Sequence, residues 1–150
     1  MDWGRSLASE ALRADPWGAS ETRRESRFHL RASGRSYEDL ARLRYASRVF
    51  TEDLMNAAEN YFAGQGYSSA VRVLEEYLHH ESRRQNARAL LLLGEAMLAM
   101  NEPEGAIAAL TECTEMYPRD AAVYRARLVR ARAHRQIGEF DEAEEQLQKN

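Results

Sequence analysis

From Ser36 onward the apolar residues recur every three or four positions, at Leu40, Leu43, Ala46, Phe50, Leu54, Ala57, Ala58 and Tyr61. That is the period of one amphipathic helix, or of two broken near Thr51, where Thr51-Glu52-Asp53 supplies a cap and acids for a first turn. Ser36 followed by Asp39 has the form of an N-cap box. Gly64-Gln65-Gly66 ends this element, because glycine takes the left-handed conformation of a helix C-cap at little steric cost. A second helix is predicted from about Ser68 with Ala70, Val71, Val73, Leu74, Tyr77 and Leu78 on its apolar face. A third follows Arg83-Arg84-Gln85-Asn86 and runs to Met100, a fourth restarts at Pro103 and reaches about Tyr117, and Pro118 stops it. A fifth spans about Ala122 to Ile137, Gly138 turns the chain, and a sixth begins near Asp141. The period of two that marks a strand is missing, so the fold class is all-α.

Ahead of Ser36 the pattern lapses. Residues 1–35 hold Trp3, Trp17, Pro16 and the run Glu21-Thr22-Arg23-Arg24-Glu25-Ser26-Arg27, which has no apolar period and reads as a mobile N-terminal tail. Leu7, Ala8, Ala11 and Leu12 suit one short amphipathic helix within it. The domain division is therefore a tail over 1–35 and a helical domain over 36–150.

The helical domain repeats itself. Tyr61-x5-Tyr67-x2-Ala70-x3-Leu74, Met97-x8-Ala106-x3-Leu110 and His134-x3-Gly138-x-Phe140-x2-Ala143-x3-Leu147 align, with 36 residues from Ala70 to Ala106 and 37 from Ala106 to Ala143. Each unit is a helix, a turn and a second helix, with approximate bounds 51–86, 87–120 and 124–150. Leu90, Leu93-Gly94, Met97, Ala106, Leu110, Cys113 and Pro118 in the middle unit resemble the marker spacing of the tetratricopeptide repeat family. The first unit matches at Leu54, Ala57-Ala58, Tyr61, Ala70 and Leu74. The third matches at Ala131, His134, Ala143 and Leu147, with Tyr124, Leu128 and Ala131 expected on the buried face of its first helix because Arg127 and Arg130 fall at typically apolar positions. The resemblance implies antiparallel hairpins stacked as a right-handed solenoid, in which Gly94 and Ala106 are small because the two helices of a repeat cross most closely there.

Composition narrows the function. Hydrophobic residues make up 44% and charged residues 30% of the 150, the balance of a chain that folds in water. The apolar stretch from Ala87 to Met100 is broken by Arg88, Gly94 and Glu95, too polar to span a bilayer. The N-terminus lacks the basic start and apolar core of a secretory signal, so a cytoplasmic location is expected. Residues 1–50 carry ten Arg against seven acids, +3, and residues 51–150 carry eleven Lys plus Arg against seventeen acids, −6, less basic than nucleic-acid binding usually requires. Cys113 is the single cysteine, which excludes an intrachain disulfide and reads as a small core residue. Adjacent His79 and His80 point about 100° apart on a helix, with no third and fourth ligand, so no metal site is expected. There is no nucleophile and base pairing and no phosphate-cradling glycine loop, which argues against an enzyme, and no cofactor is called for.

The family resemblance implies a protein or peptide partner held in a concave groove lined by first helices. The positions that would face it are Glu52, Met55, Glu59 and Phe62, then Arg88, Leu91, Glu95 and Leu98, then Arg125, Leu128, Arg132 and Arg135. Arg125, Arg132 and Arg135 share a helix side and form a stripe suited to carboxylate or phosphate, or a solvated face paired with neighbouring acids. Some family members clamp a C-terminal carboxylate with Lys and Asn; the corresponding residues here, Met55, Glu59, Leu92, Arg125 and Val129, lack that clamp apart from Arg125. The end at Asn150 suits array continuation or self-association, since a terminal repeat needs a polar cap.

The crossing argument predicts that Ala106→Leu lowers unfolding free energy by about 1 to 3 kcal/mol through overpacking, measured by urea denaturation against the unsubstituted chain.

Overall fold

The computed structural model describes residues 19–45, 49–80 and 85–149, apart from the side chains of 19, 20, 142, 143, 146, 147 and 149. Among the described residues there are six helices and no strand: α1 (Ala19–Leu43), α2 (Phe50–Ala63), α3 (Tyr67–His79), α4 (Asn86–Ala99), α5 (Pro103–Met116) and α6 (Ala122–Lys149). They form two compact units, one holding α1 to α3 and the other α4 to α6. Trp3, Trp17 and the expected helix at Leu7 to Leu12 lie outside the described residues.

Each unit is built around one helical hairpin, and the two hairpins turn in the same way. At α2–α3 the Gly66 N–H donates to the Tyr61 carbonyl at 2.8 Å and the Gln65 N–H to Phe62 at 3.0 Å. At α4–α5 the Glu102 N–H donates to Met97 at 2.9 Å and the Asn101 N–H to Leu98 at 3.1 Å. These paired bonds satisfy the orphan carbonyls of the first helix and require one left-handed residue. That residue is Gln65 at φ 59° and Asn101 at φ 65°, so the left-handed position is not a glycine as the sequence pattern suggested. Gly64 serves packing instead: a Cβ there would lie 2.9 Å from the Arg27 carbonyl oxygen and 2.9 Å from the Arg31 nitrogen of α1.

In the second unit a Cβ on Gly94 would sit 2.5 Å from Leu110 Cγ, and Ala106 and Leu110 are both fully buried. The expected close crossing of α4 and α5 is therefore observed. Cys113 is buried in the same hairpin, its thiol donating to the Ala87 carbonyl at 3.4 Å. Pro103 opens α5 at a position where a missing N–H leaves nothing unpaired. Pro118 follows Tyr117, whose non-helical backbone, at φ −129° and ψ 51°, ends α5.

Three expectations are corrected. The polar run from Glu21 is not a tail, because α1 is helical from Ala19 to Leu43 and packs on α2. Its buried positions, Ser26, Ser33, Gly34 and Ala41, are small rather than large, so a search for bulky apolar residues passes over them. A Cβ on Gly34 would lie 2.8 Å from the Tyr61 ring, which fixes how closely α1 approaches α2. Ser36 caps nothing; it sits mid-helix with its hydroxyl donating to the Ala32 carbonyl at 3.1 Å.

The third hairpin is the second correction. α6 continues through Gly138 to Lys149, since one interior glycine costs about 1 kcal/mol and the residues after it are strong helix formers. The side chains of Ala143 and Leu147 lie outside the described residues. The third concerns its packing: Val123, Ala126, Val129 and Ala133 are buried, whereas Tyr124 is 80% and Leu128 51% exposed and Ala131 is exposed. α6 lies against both α4 and α5 through two alanines and two valines, a close seat that the larger Tyr124 and Leu128 do not fit.

Replacing Gln65 with glycine removes the cost of a left-handed side-chain-bearing residue and is expected to stabilise the chain by about 1 kcal/mol. Asn101→Gly, at a residue type already tolerant of that conformation, is expected to gain less; denaturant midpoints compare the two.

Candidate functional site

Two constellations of polar side chains stand out, one in each unit. In the first, α1 presents Glu38 and Arg42 to α2 and α3. Arg72 of α3 donates to both Glu38 oxygens, at 2.6 and 3.0 Å, and the Tyr61 hydroxyl of α2 donates to Glu38 Oε2 at 2.8 Å. Arg42 donates to both oxygens of Glu76 at 2.5 and 2.8 Å and lies 3.6 Å from Glu38. Arg72 holds the Glu38 carboxyl below its ordinary range, and Arg42 does the same for Glu76. Burial and the neighbouring Glu38 push the Tyr61 hydroxyl up to about 12. Every acid here faces a cation or a hydroxyl, so the cluster fastens α1 to the hairpin. Beside it Asp53, 3% exposed, accepts two bonds from Arg44 at 2.5 and 2.9 Å.

The groove positions expected on α2 divide. Met55 is 2% exposed and belongs to the core, because α2 lies between α1 and α3 and its buried stripe widens accordingly. Glu52 is exposed, Glu59 partly exposed, and Phe62 packs edge-on against Tyr67 with ring centroids 5.5 Å apart.

The second unit gathers a surface. α4 and α6 are neighbours that run in the same direction: Arg125 bonds Glu95, and further along Gln136 bonds Asn101 at the end of α4. Along α4, Arg88 is exposed and Leu91, Glu95 and Leu98 are half-buried; along α6, Arg125, Leu128, Arg132 and Arg135 are exposed. Residues at these spacings share a helix side. Arg125 is paired with Glu95, and Arg135 lies 3.5 Å from Glu139 on its own helix. Val129, a position of the absent carboxylate clamp, is buried.

Burial pushes the Cys113 thiol up, away from the thiolate a nucleophile needs. Among the described residues no group of His, Cys, Asp and Glu is arranged to hold a metal ion, and His134 is exposed rather than in the core. No described helix is long and apolar enough to cross a membrane.

Residues 61–128, from the end of α2 into α6, match the family model of the tetratricopeptide repeat. Over this stretch the chain is similar to tetratricopeptide repeats. The match encloses the α4–α5 hairpin with its Gly94 and Leu110 crossing, and a role in binding other proteins is the general character of this repeat. No curated protein and no solved structure matches the chain.

Because Glu38 and Glu76 have depressed carboxyl pKa values, their contribution to stability is present above the unfolded-state pKa and is lost as pH falls through the folded-state values. Urea midpoints taken from pH 7 down to pH 3 are expected to fall across the carboxylate range, and to fall less in a Glu38→Gln variant.

Proposed function

We propose that the α4–α6 face of this tetratricopeptide repeat chain is a protein-interaction surface, taking an extended segment of a partner that carries apolar and acidic side chains. The observation that carries this is the shared face: Leu91 and Leu98 on α4 offer apolar footing beside a row of exposed arginines, Arg125, Arg132 and Arg135, on α6. Arginine presents a planar fork that binds carboxylates bidentately, so an incoming acid gains more there than at a point charge. Glu95 already occupies Arg125 and Glu139 lies 3.5 Å from Arg135, which makes Arg132 the first contact of a ligand and Arg125 and Arg135 ones reached by exchange. Glu52, Glu59 and Phe62 on α2 extend the same reading to the first unit as a separate strip. The repeat supplies a rigid scaffold or adaptor role in this reading, with no chemistry performed on the partner.

A displayed random-peptide library selected on the immobilised chain tests the proposal. Selected peptides are expected to combine acidic and apolar residues, and a variant with Arg125, Arg132 and Arg135 all replaced by Ala is expected to bind them at least about tenfold more weakly, about 1.4 kcal/mol. Equal affinity for the triple variant would reject the surface. A ligand whose affinity falls by about one power of salt concentration per contact would indicate phosphate binding in place of peptide binding.

A further inference from the structure

Gly138 has no structural task where it stands. A Cβ added to it meets nothing within 4 Å, whereas one on Gly34, Gly64 or Gly94 collides with a neighbour at 2.5 to 2.9 Å. It sits inside a continuous helix, the place glycine suits least. The repeat register gives it another role. With Ala70, Ala106 and Ala143 aligned, Gly138 falls at the position of Gln65 and Asn101, the two left-handed residues on which the α2–α3 and α4–α5 hairpins turn. Of the three, it is the residue that takes that conformation most readily.

The same register assigns the surfaces on either side of it. Ala131 corresponds to Ala58 and Gly94, both buried at close crossings, yet Ala131 is exposed. Leu147 corresponds to Leu74 and Leu110, which are fully buried, the latter against Gly94. Phe140, about two turns past the seat of α6 on the α4–α5 hairpin, is 53% exposed. By this register the segment 139–149 is the complement of the first half of α6, and in the straight helix Glu139, Phe140, Asp141 and Glu144 are exposed.

We propose that α6 is hinged at Gly138, exchanging between the straight helix and a folded-back third hairpin, and that in the straight form two copies of the chain complete each other by reciprocal exchange of residues 139–149. The occupant is a second copy because the complementary surface belongs to this sequence, and exchange of an identical element across an opened hinge needs no new interface. The equilibrium between the two forms sets whether the end of the repeat is closed within one chain or shared.

Two substitutions push the hinge in opposite directions. Gly138→Ala favours the straight helix. Phe140→Pro opposes it, since proline breaks a helix interior, but proline is acceptable in the hairpin, where position 140 corresponds to Pro103 at the first turn of α5. Sedimentation measures the mass, and a donor on Arg125→Cys with an acceptor on Glu145→Cys measures the bend in a Cys113→Ala background. The labelled positions are about 30 Å apart in a straight helix and about 15 Å apart in a hairpin. The expected results are a dimer for Gly138→Ala, with transfer between chains labelled singly and mixed, and a monomer with short intrachain distance for Phe140→Pro at an unreduced melting temperature. A monomer of long distance for Gly138→Ala, together with a lowered melting temperature for Phe140→Pro, would overturn the proposal.

Discussion

The structure depends on helices that meet without side chains between them. A Leu110 carbon occupies the space a Cβ on Gly94 would need, and the Tyr61 ring does the same at Gly34. Interiors pack at crystal density, so an added carbon at such a point must displace the buried side chain it meets. Everything built on the hairpins inherits this constraint. The α4–α5 crossing sets the seat that receives Val123, Ala126, Val129 and Ala133 of α6, and that seat turns Tyr124, Leu128 and the arginines outward. The exposed face is a consequence of which residues are small enough to be buried.

The two units meet this constraint with different fastenings. In the first, α1 lies close enough for Gly64 to touch its backbone, and charged groups then lock the contact through Glu38, Arg72, Arg42 and Glu76. Exposed ion pairs contribute little individually; here Tyr61 and two arginines converge on one carboxylate, which specifies register as well as attraction. In the second unit the core is alanine, leucine and a buried cysteine, and the polar bonds from α6, Arg125 to Glu95 and Gln136 to Asn101, align it with α4.

Much of this was legible in the sequence. The recurrence of apolar residues at three and four positions, the marker set around Gly94 and Ala106, the helix start at Pro103 and the stop at Pro118 are local signals that the structure obeys. α1 was illegible because its buried side is serine, glycine and alanine, which bury little apolar area and put no bulky residue on that face to mark it; Ser26, Ser33, Gly34 and Ala41 at helical spacing were the available clue. Met55 was misplaced because α2 packs on α1 as well as on α3, and α1 is a neighbour the pattern had not revealed. The buried face of α6 was misjudged by seeking the largest apolar residues where the seat accepts the smallest. Gly138 carries a turn signal that the straight α6 overrides. The groove strip itself was legible only as spacing, since pairing such as Arg125 with Glu95 depends on which helices become neighbours.

The central claim is that the α4–α6 face receives the partner, and amide hydrogen exchange with and without a bound peptide tests it most directly. Added protection in residues 88–98 and 125–135 is the result this account predicts; protection confined to α1 or α3, with both of those segments unchanged, would contradict it.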